Sequence, residues 1–176
     1  MNILKGVNLG SWLLMEGYIL GGRNISEHIF KRGFVKHNGK RSLSDFERLF
    51  RENFITENDL ERISSWGANC VRVPFNYRLI EKKPYKYSKK GIQTLRRLLS
   101  WADKYNLKII LDLHASPGAQ NADWHSDSSG KAFLWERESF QERAFSLWQF
   151  LAEEFKGNPA IAGFDLLNEP VVDKKK

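Results

Sequence analysis

Apolar positions recur along this chain with two periods, and the two alternate. Short runs dense in Ile, Val and Leu at 3–9, 69–73, 108–113 and 161–167 have the length and composition of buried strands in a parallel sheet. Between them the spacing changes to that of amphipathic helices. Ile92, Leu95, Leu99 and Ala102 predict a helix over 89–106, and Phe140, Ala144, Leu147 and Leu151 predict another over 139–155. Leu60 and Ile63 mark the buried face of a shorter helix that starts at Thr56 and stops at Gly67. Ser44 and Glu47 have capping-box spacing, which predicts a short helix with Phe46, Leu49 and Phe50 on one face, inside the long loop after the first strand. Pro74 has no N–H to give to a ladder and is expected to end the second strand. Gly157, Asn158 and Pro159 break the last helix before the fourth strand.

In order, the elements read βαβαβαβ, with longer loops after the strands than before them. This predicts an α/β fold, an incomplete (β/α)8 barrel with strands 1 to 4 and three crossover helices, as one domain over 1–176. A doubly wound sheet is the main alternative, but the first strand lacks the Gly-rich phosphate turn of a nucleotide-binding version.

Composition narrows the class. With 41% hydrophobic and 28% charged residues in 176, the chain is globular. One cysteine, Cys70, forms no internal disulfide and reads as a small core residue. The net charge of +7 includes three terminal lysines, and the rest is scattered over helices and a loop at 31–41. Without an aromatic and basic platform or a recognition helix, nucleic acid is not an expected partner. Neither a signal peptide nor a membrane-length apolar run is visible. The expectation is a soluble chain without a membrane span, its compartment open and cytoplasmic by default. Asn24, Ile25 and Ser26 fit a glycosylation acceptor, which matters only in a secreted protein.

Strand alternation then sorts the polar residues. Ile110, Asp112 and His114 share one face of the third strand, and Cys70 and Arg72 share one face of the second. Asp112 and Asp165 sit back from the strand tips and read as scaffold. For Arg72 an ion pair with Asp112 or Asp165 and a functional role stand side by side, whereas His114, where its strand ends, reads as functional. The strongest candidate is Glu169, at the end of the run closed by Asn168-Glu169-Pro170. Pro170 is expected to keep Glu169 extended. Trp66, Trp101 and Trp148 lie on helices and read as packing, while Trp12 and Trp124 fall in loops at the site end. Trp124 is a candidate for stacking on a sugar, or an anchor for its loop. His125 could join His114 in a metal site, but no spaced ligand set supports one, so no metal and no cofactor are expected.

Four blocks carry a resemblance: Gly6-Val7-Asn8-Leu9-Gly10-Ser11-Trp12-Leu13-Leu14 with Glu16; Val71-Arg72-Val73-Pro74-Phe75-Asn76-Tyr77; Leu111-Asp112-Leu113-His114-Ala115-Ser116-Pro117-Gly118-Ala119-Gln120-Asn121; and Asn168-Glu169-Pro170. In this order they resemble glycoside hydrolase family 5, the cellulase family, in its exo-β-1,3-glucanase-like branch. The resemblance implies a retaining glycosidase on a (β/α)8 barrel, acting on a β-glucan or β-glucoside. Glu169 matches the general acid/base, and Asn168 the residue that bonds the sugar 2-hydroxyl. Arg72 and His114 match residues that order the subsite on the non-reducing side of the cleaved bond. Glu16 matches a carboxylate that holds hydroxyls of a terminal glucose. Asn76, in the second block, and Trp124 are further substrate-binding candidates. The family's nucleophile is a second glutamate on the seventh strand, which has no counterpart here, so this chain is expected to carry the acid/base without the nucleophile. Ala115-Ser116 also departs from the Gly-Ala expected at that place. Two rivals remain: a non-catalytic carbohydrate-binding protein, and a metal-dependent barrel hydrolase that chelators would silence. Open edges on the first and fourth strands predict self-association.

Overall fold

The computed structural model describes residues 3–172; Asp173 and the three terminal lysines of the charge argument lie outside the described residues. In chain order the elements are β1 Gly6–Asn8, α1 Glu27–Asn53, α2 Glu57–Ser65, β2 Cys70–Asn76, α3 Tyr77–Ile80, β3 Glu81–Lys83, β4 Lys86–Tyr87, α4 Lys89–Lys104, β5 Lys108–Ala115, a 3-10 turn at Trp124–Ser126, α5 Glu138–Glu154 and β6 Ile161–Asp165. β1, β2, β5 and β6 form one parallel sheet in that order, while β3 and β4 make a small antiparallel hairpin. Consecutive parallel strands joined by helices are the arrangement of a partial (β/α)8 barrel.

Alternation along the two central strands builds the core. Val71, Val73 and Phe75 of β2 and Ile109, Leu111 and Leu113 of β5 are fully buried. They share one cluster with Leu60 and Ile63 of α2, Leu95, Leu98 and Leu99 of α4, and Leu147 and Leu151 of α5. The intervening positions, Arg72, Asp112 and His114, belong to the other face of the sheet, and Asp165 pairs with Asp112 in register. The start of α2 is capped as the sequence predicts, whereas Ser44 and Glu47 lie inside α1 and start no helix of their own. Asp59 accepts from the Thr56 N–H at 2.7 Å to start α2, and the Ser88 hydroxyl accepts from the Gly91 N–H at 3.2 Å to start α4. At Gly91 a Cβ would sit 2.2 Å from the Leu79 carbonyl oxygen, so only glycine lets the two segments approach.

Several expectations need correction. The first strand is shorter than 3–9, because the Asn69 side chain takes the Lys5 N–H at 2.7 Å and the Ile3 carbonyl at 3.0 Å in place of a ladder. Pro74 does not end β2, which continues to Asn76. Leu9 donates to the Arg72 carbonyl and Asn76 donates to the Leu13 carbonyl. Position 74 therefore faces the same side, in the interval where the chain between Leu9 and Leu13 has left the ladder and no N–H is required. The stretch at 31–41 is not a loop but part of α1, whose two arms meet at Gly39 with φ 82°. Phe34 stacks on Phe46 at 5.2 Å between ring centroids, and Lys31 pairs with Glu47 at 2.5 Å, so the arms lie side by side. Finally, Trp66 caps α2 with 71% of its surface exposed and does not pack, whereas Trp101 and Trp148 do. Leu49, placed on an inward face with Phe46 and Phe50, is exposed.

Candidate active site

Arg72 sits on β2, between Asn8 of β1 and Asp112 of β5, and its guanidinium uses donors in several directions. Nε and Nη2 donate to Asp165 Oδ2 at 3.1 and 2.9 Å, Nη1 donates to Asn8 Oδ1 at 3.1 Å, and Nη2 reaches Asn168 Oδ1 at 2.8 Å. Nη2 also lies 2.9 Å from Asp112 Oδ2. Both readings of Arg72 thus meet in one side chain, which pairs with the two scaffold aspartates and grips the amide before Glu169. Because Asn168 Oδ1 accepts from Arg72, its Nδ2 is the free end of the amide, and that donor is buried without a partner.

His114, two residues beyond Asp112 on the same face, meets Asp112 Oδ2 through Nδ1 at 2.6 Å. Burial pushes the Asp112 carboxyl above its ordinary value, opposed by the hydrogen bond from His114 and the charge of Arg72. Its other oxygen, Oδ1, is buried with no partner. With the proton on Nδ1, the Nε2 of His114 faces Glu16 Oε1, 3.8 Å away. Glu16 is nearly buried and is fixed locally: the Ser11 N–H donates to Oε2 at 3.3 Å, and the Ser11 hydroxyl bridges the Glu16 backbone N–H and carbonyl, each at 3.1 Å. Ser11 adopts φ 60° to do so.

Glu169 lies four residues past the end of β6, and Pro170 does not hold it extended: its φ is 43°, in the left-handed region that residues with a Cβ rarely adopt. Side-chain straps from the loop after β5 over-determine this turn. Gln120 Nε2 donates to the carbonyls of His114 at 2.7 Å and Asn168 at 2.8 Å, and its Oε1 accepts from the Ser116 N–H at 3.1 Å. Asn121 Nδ2 donates to the Glu169 carbonyl at 2.9 Å, and the Val171 N–H donates back to the Gln120 carbonyl at 3.0 Å. The Glu169 carboxylate itself is free on one side, with 68% of the side chain exposed, and meets His125 Nε2 at 3.4 Å on the other.

Glu16, Arg72, His114, Asn168 and Glu169 are thus brought to one end of the sheet. Trp124 joins them indirectly, edge-on to Tyr18 at 5.8 Å and to His125 at 5.6 Å. Asn76 is not brought in. It is buried, caps α3 through Oδ1 and the Arg78 N–H at 3.0 Å, and donates Nδ2 to Asp127 Oδ2 at 3.1 Å and Glu27 Oε2 at 3.3 Å. This second polar cluster supports the fold. Asp127 also accepts from the His28 N–H at 2.7 Å and from Arg78 Nε at 2.9 Å. Burial works against its charge, but hydrogen bonds from His28, Asn76 and Arg78 outweigh it and hold the carboxyl below its ordinary value. Trp12 is buried in the core with its Nε1 donating to the Arg51 carbonyl at 3.0 Å.

Three residues escaped sequence reasoning. Gln120 and Asn121 lie inside a quoted block, yet no periodicity marks their bonds across 48 residues. Tyr18 stands over the cleft, where partial burial and the charges of Glu16 and Glu169 push its phenol above the ordinary value. Among the described residues no group of three or more His, Cys, Asp or Glu could hold a metal ion, and no helix is long and apolar enough to cross a membrane.

Comparison with known proteins shows the family of the chain. The family model described as cellulase (glycosyl hydrolase family 5) matches residues 35–176. The chain is 38% identical over 171 residues to a beta-xylosidase of Phanerodontia chrysosporium, covering 96% of this chain and 36% of that protein. It is 26% identical to glucan 1,3-beta-glucosidase 1 of Schizosaccharomyces pombe, covering 96% and 44%. Its fold superposes on rutinosidase from Aspergillus niger with a TM-score of 0.76 at 22% identity, covering 94% of this chain and 48% of that one. The chain spans about a third to a half of the length of these proteins. It belongs to glycosyl hydrolase family 5, the cellulase family.

Proposed function

We propose that Glu169 is the general acid/base of a retaining glycosidase acting on β-glucans or β-glucosides, with Glu16, His114 and Asn168 holding the sugar on its non-reducing side. The observation that carries this reading is the buried, unpartnered Nδ2 of Asn168. Arg72 fixes the opposite end of the amide, and the candidate acid follows one residue later. A donor desolvated in this way gains most when a sugar hydroxyl fills the place. Glu169 then protonates the departing glycosidic oxygen and later takes the proton from the incoming water. The retaining route needs a second carboxylate about 5 Å away across the sugar. We assign it to a glutamate from the part of a barrel that these residues do not include.

A binding-only reading has its own support. The groups that would hold a sugar are buried and mutually fixed, while Glu169 is largely exposed. One experiment separates the two: turnover of an aryl β-glucoside and binding of glucose, measured on a form of the protein that carries the second carboxylate and on Glu169→Gln in that form. Catalysis predicts turnover that falls roughly a hundredfold to ten-thousandfold in the variant with glucose binding kept. Glucose binding with no turnover in the unsubstituted protein favours the binding-only reading.

A further inference from the structure

Beside Glu169 stands a histidine that none of the roles above uses. His125 lies in the 3-10 turn at Trp124–Ser126, and its Nε2 is 3.4 Å from Glu169 Oε2. The ring is largely buried while the carboxylate it faces is largely exposed. Its position is fixed from several sides. The Trp124 ring packs edge-on at 5.6 Å and the His114 ring at 5.8 Å, and the Ser126 hydroxyl ties the turn to the carbonyls of Asn121 at 2.9 Å and Asp123 at 2.8 Å. Nδ1 is buried without a partner. The polar groups near the ring are therefore on the Nε2 side: Glu169, and Asp123 Oδ2 at 3.9 Å. The His114 ring, whose Nε2 is 3.8 Å from Glu16, and the Tyr18 phenol, which feels the charge of Glu169, also lie beside this pair.

An acid/base carboxylate must present one oxygen to the leaving group in a defined direction. Ordering an exposed glutamate side chain costs rotamer freedom, and a donor on a ring already held by its neighbours offsets that cost at the moment of reaction. We propose that His125 is the positioning residue of the acid/base: its Nε2–H holds Glu169 Oε2, so that Oε1 is presented to the glycosidic oxygen. His125 makes and breaks no covalent bond and transfers no proton; it acts through Glu169. This inference rests on the reading of Glu169 as the acid/base.

The contact is measured on the chain itself, from the ring nitrogen NMR signals of its four histidines. His125 is expected to carry its proton on Nε2, and its ring signals are expected to move in Glu169→Gln while those of His37 stay. Ring signals of His125 that ignore Glu169→Gln overturn the proposal. The role is measured in the form of the protein that turns over aryl β-glucosides. His125→Ala is expected to slow substrates with poor leaving groups about tenfold more than a dinitrophenyl glycoside, whose departure needs no proton. His125→Gln, which keeps an N–H donor, should recover part of the loss. Equal loss on both substrates would mean a structural role and also overturns it. If Glu169→Gln leaves the poor-leaving-group substrates unaffected, the acid/base assignment fails instead, and the NMR result still reports on the contact separately.

Discussion

Arg72 satisfies two acidic scaffold residues and the amide of Asn168 at once, and that combination sets the cost of losing it. Asp112 has no exposed surface in its side chain, and Arg72 is itself 29% exposed. Removing the guanidinium leaves the buried Asp112 carboxylate with His114 alone, so Arg72→Ala is expected to lower stability by about 3 kcal/mol in urea unfolding. Arg72→Lys should restore little, because one ammonium cannot reproduce a fork that donates to Asp165 through two nitrogens. Residues on alternating strand positions were legible in the sequence for a simple reason: period two places them on one face whatever the loops do. Arg72 and His114 fall in that group, whereas Glu169, on a left-handed turn past the end of β6, does not. Asn76 misled because its type and place suit a sugar ligand, while its amide is consumed by Glu27 and Asp127, far off in sequence.

Elements follow the same division. α4 and α5 were readable from their apolar stripes. The first arm of α1 was not, because Gly33, the basic residues and the Asn38-Gly39 pair look like loop, and its helix depends on a Phe ladder shared with the second arm. The loops after β2 and β5 are held together by the Asp127 cluster, which links them to the start of α1. A carboxyl held below its ordinary value contributes stability that is fully present above the unfolded aspartate value of about 3.9 and is lost as pH falls through the lower folded value. The melting temperature is therefore expected to fall as the pH drops below about 4, and Asp127→Asn should flatten that fall while lowering the melting temperature at neutral pH. In the same loop Gly118 has φ 80°, and a Cβ there would sit 2.6 Å from the Phe140 ring. Gly118→Ala is expected to cost about 2 kcal/mol, measured by denaturant titration.

At the scale of the molecule the sheet is open. Among the described residues β1 and β6 each have one strand neighbour, and apolar side chains stand exposed near both edges: Ile3, Leu4 and Val7 at one, Leu166, Val171 and Val172 at the other. Such edges present unpaired backbone groups to any second chain. Light scattering is expected to show concentration-dependent self-association of this chain, and Leu166→Lys should weaken it; a monomer at all concentrations would speak against it. The four strands of the parallel sheet and their order were legible in the sequence, since each crossover helix announces the next parallel strand, whereas the β3–β4 hairpin was not.

The straps from Gln120 and Asn121 to the Glu169 turn bear on timing. Every partner in them belongs to the stretch ending at Val171, so the strained turn needs nothing synthesised later to hold it. On a ribosome, the turn that carries Asn168 and Glu169 can therefore set while any following segment is still being translated, and such a segment would meet a template already formed rather than fold together with it.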